Sequence, residues 1–216
     1  MRGGFQHQEN LMRSNSVSTS LPRELYIELI NDHIERYGDG IGSHTLDLTS
    51  YHEAGHILLA HILGCKPGPT KIWSESRHVW CGYTWYKSQG ELHTINSPEK
   101  YIIEIMISCA GWVAEGVLGN FIDEGSSIDE KIRVTELSCS LAKYNEWNPE
   151  VIVFLCTYSV SNLLTQYRSE CLKLAENLRI RKKIRRQEIH FLFDKIPVDL
   201  SKKQASFLIK KIKEGA

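Results

Sequence analysis

Two imidazoles and a carboxylate stand within five residues, His52-Glu53-Ala54-Gly55-His56. On a helix, residues four apart leave the same face, so His52 and His56 can share one metal ion. Glu53 is not needed as a ligand. It is placed to take a proton from a water on that metal and later return it to a leaving amine. Two imidazoles with a carboxylate suit zinc, a borderline ion that leaves one position open for chemistry. The chemistry to which these groups point is zinc-dependent peptide hydrolysis. Two hydrogen-bonded core histidines on an amphipathic helix would leave the same letters, and the chain has nine histidines, so context has to strengthen the short pattern.

The pair first needs a helix. Asp47 or Thr49 can cap it and Gly64 can end it, which puts both histidines in its interior. Ala54 and Gly55 are small and let another backbone or a substrate come close to the metal face. Lys66-Pro67-Gly68-Pro69 and Gly90 then punctuate the chain. Between them, Lys71-Ile72-Trp73 and residues 78–87 are rich in β-branched and aromatic types, which predicts a small hairpin or sheet. Ser97 and Pro98 open a long apolar helix running to about Leu118. Residues 119–125 read as a loop, a helix follows from about Ser127 to about Tyr144, and Asn148-Pro149 breaks the pattern before the next helix. In the last long helix, Leu164, Tyr167, Cys171, Leu174 and Leu178 keep a three-four spacing that marks one packed face. At the other end, residues 1–20 read as a polar, disordered tail. Residues 22–37 read as a short amphipathic helix, broken at Gly38-Asp39-Gly40. The expected architecture is mainly α, one domain over residues 21–216, with a small β-hairpin or sheet beside the site helix.

At 216 residues the chain can bury a sizeable core. Its 26 Lys and Arg balance 26 Asp and Glu, so composition makes no general case for nucleic-acid or membrane binding. The six cysteines (65, 81, 109, 139, 156 and 171) are scattered, form no Cys-x-x-Cys and follow no signal peptide. Free thiols in a reducing cytosol are expected, with no second zinc site. No stretch reads as a membrane span, because Glu104 and Glu115 interrupt residues 101–122 and the apolar run at 151–164 is too short. The basic run Arg179, Arg181, Lys182, Lys183, Arg185, Arg186 reads as the solvated end of the last helix. Trp73, Trp80, Tyr83, Trp85 and Tyr86 read as core.

A catalytic site needs a third protein ligand. A metzincin would have Gly at position 59 and His at 62; here Leu59 and His61 stand instead. A thermolysin-like Glu would need a helix near Glu75, where strand and turn are predicted. Glu115, inside a long helix, and Asp129, at the start of one, both stay open, with Glu115 also suited to hold a ligand imidazole from behind.

The order of motifs adds to this. His-Glu-Ala-Gly-His is followed by Gly82-Tyr83-Thr84, then Ala110-Gly111-Trp112-Val113-Ala114-Glu115. A Gly-Ser-Ser-x-Asp start at 125–129 and Thr135-Glu136-Leu137 come next. Over residues 45–193 this resembles the peptidase domain of FtsH-type AAA proteases. The resemblance implies Asp129 as the third zinc ligand and a mostly helical domain whose small β element receives substrate along its edge. It also implies endopeptidase action on unfolded polypeptides, with Tyr83 and Thr84 on the cleft wall, and ring assembly of identical subunits. Ser126-x-x-Asp129 reads as a capping box, but Ser127-x-x-Glu130 is an equally good one a residue along, and in that register Glu130 caps and Asp129 is left for metal. Trp112, Gly116 and Ile128 stand where the family usually has Arg, an acidic residue and Asn. No Gly-x-x-x-x-Gly-Lys-Ser/Thr occurs in the sequence, so flexible substrates or a separate ATPase or adaptor are expected. Two alternatives are a zinc-binding interaction module without activity and a regulatory metallopeptidase that cuts one dedicated protein.

Overall fold

In the computed structural model, which describes residues 45–75, 79–87, 97–120, 127–193, 196 and 201–215, the histidine pair lies on α1 (Leu46–Ile62). The expected tail at 1–20, the helix at 22–37 with its break at 38–40, and most of the 119–125 loop lie outside the described residues. Thr45, rather than Asp47 or Thr49, caps α1, its Oγ1 accepting from Leu48 N at 3.2 Å. Asp47 falls in the first turn, where its charge suits the positive end of the helix dipole, and Thr49 Oγ1 donates back to Thr45 O at 3.0 Å. Leu63 closes the helix and Gly64 follows at φ 72°, the left-handed stop its type allows. From Thr49 to Ile62 every residue but Tyr51 is buried, so α1 is enclosed all round rather than lying on the surface.

What encloses it is α2 (Pro98–Gly119), with Ser97 as cap, Pro98 at the first position and Asn120 in the left-handed conformation at its end. By length and composition alone α2 could cross a membrane, Glu104 and Glu115 notwithstanding. It is also the core helix, with 78% of its most apolar window buried. Gly55 is where the two helices meet. A Cβ there would lie 2.5 Å from Ala110 O and 2.6 Å from Ala114 Cβ. Gly55→Ala should therefore destabilise the fold by about 1–3 kcal/mol despite alanine's better helix propensity, because the atom in the way is backbone. Denaturant unfolding checks this; unchanged or higher stability would contradict so close a crossing.

Around this pair lie α3 (Ile128–Asn145), α4 (Pro149–Gln166), α5 (Arg168–Arg181), α6 (Arg186–Leu192) and α7 (Ser201–Gly215). The break read at Asn148-Pro149 is a helix start: Asn148 caps α4 through Oδ1, with Pro149 first in the helix. The expected single last helix is two: Tyr167, at φ −106° and ψ 30°, separates α4 from α5. Backbone hydrogen bonds continue across it, Tyr167 N to Leu163 O and Cys171 N to Tyr167 O, each at 3.0 Å. The apolar spacing survives the break, and Leu164, Cys171, Leu174 and Leu178 are all buried.

The sheet is antiparallel in the order β2-β1-β3, formed by β1 (Pro67–Ser74), β2 (Trp80–Tyr86) and β3 (Lys183–Ile184). Gly68 and Pro69 fall inside β1, where the register shifts between Pro67 and Thr70; an irregularity is where a strand tolerates proline. The basic run is a helix end only in its first part, where Arg179 and Arg181 stand exposed in the last turn of α5. It leaves α5 through Lys182, at φ 61°, and enters β3, which pairs Thr70 with Ile184 and Lys71 with Lys183. Thr70, Ile72, Gly82, Thr84 and Ile184 face inward, while Lys71, Tyr83, Trp85 and Lys183 face away from α1. Tyr86 Oη and Arg133 Nη2 each donate to Glu104 Oε2 at 3.2 Å, tying β2, α2 and α3 together beside the site. All six cysteines are free thiols. The chain is thus mainly helical with a small three-stranded sheet against the histidine helix.

Candidate metal centre

His56 Nδ1 donates to the Ile107 carbonyl at 2.9 Å. A carbonyl only accepts, so the proton of His56 sits on Nδ1 and Nε2 offers a lone pair. His52 Nδ1 meets the fully buried Glu115 carboxylate at 2.6 Å, which fixes His52 the same way. The two Nε2 atoms then face each other at 3.1 Å, with Glu130 Oε1 at 3.1 Å from His52 Nε2 and 2.7 Å from His56 Nε2. All three donors lie within 4.8 Å of one another. Tetrahedral zinc with bonds of about 2.0–2.1 Å holds such donors roughly 3.3 Å apart, slightly wider than here. The other carboxylate oxygen, Glu130 Oε2, is buried without a hydrogen-bond partner among the described residues. Facing lone pairs and an unsatisfied carboxylate oxygen call for a cation between them, a shared proton or a metal ion.

Asp129 is not part of this set. It is exposed on α3, and Glu130, read from the sequence as a capping residue, turns to the imidazoles instead. Ser127 is the N-cap, as one of the two registers had it, but it makes no side-chain cap bond, and Glu130 at N3 is given over to the histidines. Neighbouring helix positions point about 100° apart, so only one of the two carboxylates can face α1. The sequence held a signal for the right one. Glu130 shares a stripe with Val134, Leu137 and Leu141, all buried, whereas Asp129 falls outside it.

Glu53 lies in the same pocket wall. It is 5% exposed, its carboxylate accepts from Thr84 Oγ1, and Gly82 of β2 runs so close that a Cβ would sit 2.3 Å from Oε1. Burial pushes its pKa up, and the neighbouring imidazoles only partly offset this. Gly111 of α2 makes room behind the site, because a Cβ there would lie 2.2 Å from His52 Nε2. Of the sequence candidates, then, His52, Glu53, His56, Glu115 and Thr84 come together, Tyr83 lies on the far face of β2, and Asp129 stays in solvent. Glu115→Gln should weaken metal binding by about 10–100-fold with the fold kept, measured by competition with a chromophoric chelator. Unchanged affinity would show that its contact with His52 does not tune the site.

Charge in the cluster is coupled. Burial opposes protonation of His52 and His56, but the Glu130 carboxylate outweighs it, and Glu115 adds to the effect on His52. Both imidazole pKa values are raised, that of His52 well above its ordinary range. Burial likewise opposes ionisation of Glu130, and the two imidazoles outweigh it, holding its carboxyl low. A raised histidine pKa contributes stability below the unfolded value, and that stability is lost as pH rises through the folded value. Metal binding has the opposite slope, because the ligands must shed protons. Between about pH 6 and about pH 8 the gap in melting temperature between metal-loaded and chelator-treated protein should therefore widen. A gap that stays flat or narrows would place the metal elsewhere. No protein-family model matches the chain, and no curated protein matches it.

Proposed function

We propose that this protein is a zinc-dependent endopeptidase acting on unfolded or flexible polypeptides, similar to the peptidase domain of FtsH-type proteases. The observation that carries the reading is the convergence of His52 Nε2, His56 Nε2 and Glu130 Oε1 on one point, with both Nδ1 atoms already committed. A nitrogen, nitrogen, oxygen donor set leaving one tetrahedral position open suits catalytic zinc. Glu130 in place of the family's Asp keeps the donor type and adds one methylene of reach.

When bound, zinc supplies Lewis acidity, polarising a peptide carbonyl and lowering the pKa of a water. Glu53 takes the proton of the attacking water at Oε1 and returns it to the departing nitrogen, while Thr84 holds Oε2 in place. Its upward-shifted pKa makes Glu53 a stronger base than an exposed carboxylate. Glu115 and the Ile107 carbonyl keep both imidazoles in the metal-binding tautomer. Strand β2 is outermost in the sheet and carries Thr84; among the described residues no strand pairs with its outer edge, and beyond the Trp80 carbonyl, which accepts from Thr49 Oγ1 at 3.2 Å, that edge can receive an extended peptide.

Zinc analysis together with cleavage of casein, with and without chelator, tests the proposal. Stoichiometric zinc and chelator-sensitive products are expected. Zinc without products would instead indicate a binding module, or a protease restricted to one dedicated protein.

A further inference from the structure

Strand β2 has two working faces. Thr84 points inward to Glu53, whereas its neighbours Tyr83 and Trp85 point outward and are 59% and 42% exposed. The sequence reading took these aromatics as core, and their exposure removes that explanation. Trp85 is not loose, however: its ring edge is docked on β1, where a Cβ on Gly68 would lie 2.2 Å from Cε3. Tyr83 stands opposite Lys71 in the ladder, so its cross-strand neighbour lies on the side away from the outer β2 edge. Among the described residues no strand pairs with that edge.

Resting on the peptidase proposal above, we infer that Tyr83 and Trp85 select substrate segments with large apolar or aromatic side chains two positions apart. A peptide added to the β2 edge lies about 4.8 Å away, and its side chains alternate between the two faces of the sheet. Every second residue lands beside Tyr83 or Trp85, which are themselves two positions apart on β2. The intervening residues turn towards the Thr84 and Glu53 side. Aromatic and apolar cross-strand pairs are the stabilising unit of such an edge. The preferred substrate is therefore the alternating pattern of a half-buried β-strand, which a sheet protein exposes when it unfolds. The occupant is a polypeptide rather than an anionic polymer, because the edge supplies backbone groups and the aromatics lie on the same strand as the residue that holds the base.

Two quenched fluorescent peptides of identical composition test this on the full zinc-loaded chain, one alternating Phe and Ser, the other with Phe and Ser in separate blocks. A roughly tenfold lower KM for the alternating peptide is expected. Tyr83→Ser with Trp85→Ser should erase that preference, the paired phenylalanine substitutions should keep it, and Tyr144→Ser, an exposed position on α3, should leave it intact. Equal KM values in the unaltered protein, or a preference that survives the serine substitutions, would overturn the inference. If neither peptide is cut, the peptidase proposal fails. Anisotropy of the labelled peptides on the same protein then decides the selection separately: tighter binding of the alternating peptide supports it, and equal binding overturns it.

Discussion

Glu130→Gln should strip the metal while Asp129→Asn leaves it in place. The two carboxylates are adjacent in sequence, and composition cannot tell them apart. Glu130 Oε1 lies 2.7 Å from His56 Nε2, and its second oxygen is buried without a partner among the described residues, whereas Asp129 is exposed. Loss of a partner behind a ligand costs about 10–100-fold in affinity, so loss of the ligand itself should exceed about 100-fold. The amide keeps the size of the side chain, so helix α3 should stay folded, which circular dichroism would verify. Should Asp129→Asn release the metal and Glu130→Gln retain it, the site as described would be wrong.

Glu53→Gln should lower kcat/KM by about 10²–10⁴ with metal content unchanged. The amide can still accept from Thr84 Oγ1 and fill the space beside Gly82, so the pocket is preserved and only the proton acceptor is lost. This separates base from ligand. A protein that loses metal on this change has Glu53 in the coordination sphere, and one that keeps full activity takes its base from elsewhere.

Local chemistry made much of the fold readable. Ser97 with Pro98, Asn148 with Pro149, and Gly64 each satisfy or terminate backbone groups within a few residues, so their signals do not depend on the rest of the chain. The same holds for the histidine pair, whose four-residue spacing fixes its face on any helix. What could not be read depends on packing. Choosing between Asp129 and Glu130 is a choice of how α3 is rotated; the stripe of Val134, Leu137 and Leu141 carries that signal, but it decides the choice only once those residues are known to face the core. Strand β3 spans only Lys183 and Ile184, too short to show a period, and it exists because β1 has an edge for it to pair with. The break at Tyr167 leaves the apolar stripe intact and so leaves no trace in it. In the sequence Gly111 and Gly82 are only letters in an order of motifs; their use is to let His52 and Glu53 lie against backbone.

X-ray absorption at the zinc edge of the purified protein tests the central claim most directly. One zinc per chain is predicted, with two imidazole nitrogens and carboxylate oxygen at about 2.0–2.2 Å and no sulfur, and the imidazole signal should vanish in His52→Ala with His56→Ala. A sulfur shell, zinc that survives loss of both histidines, or no bound metal would contradict a centre built on His52, His56 and Glu130.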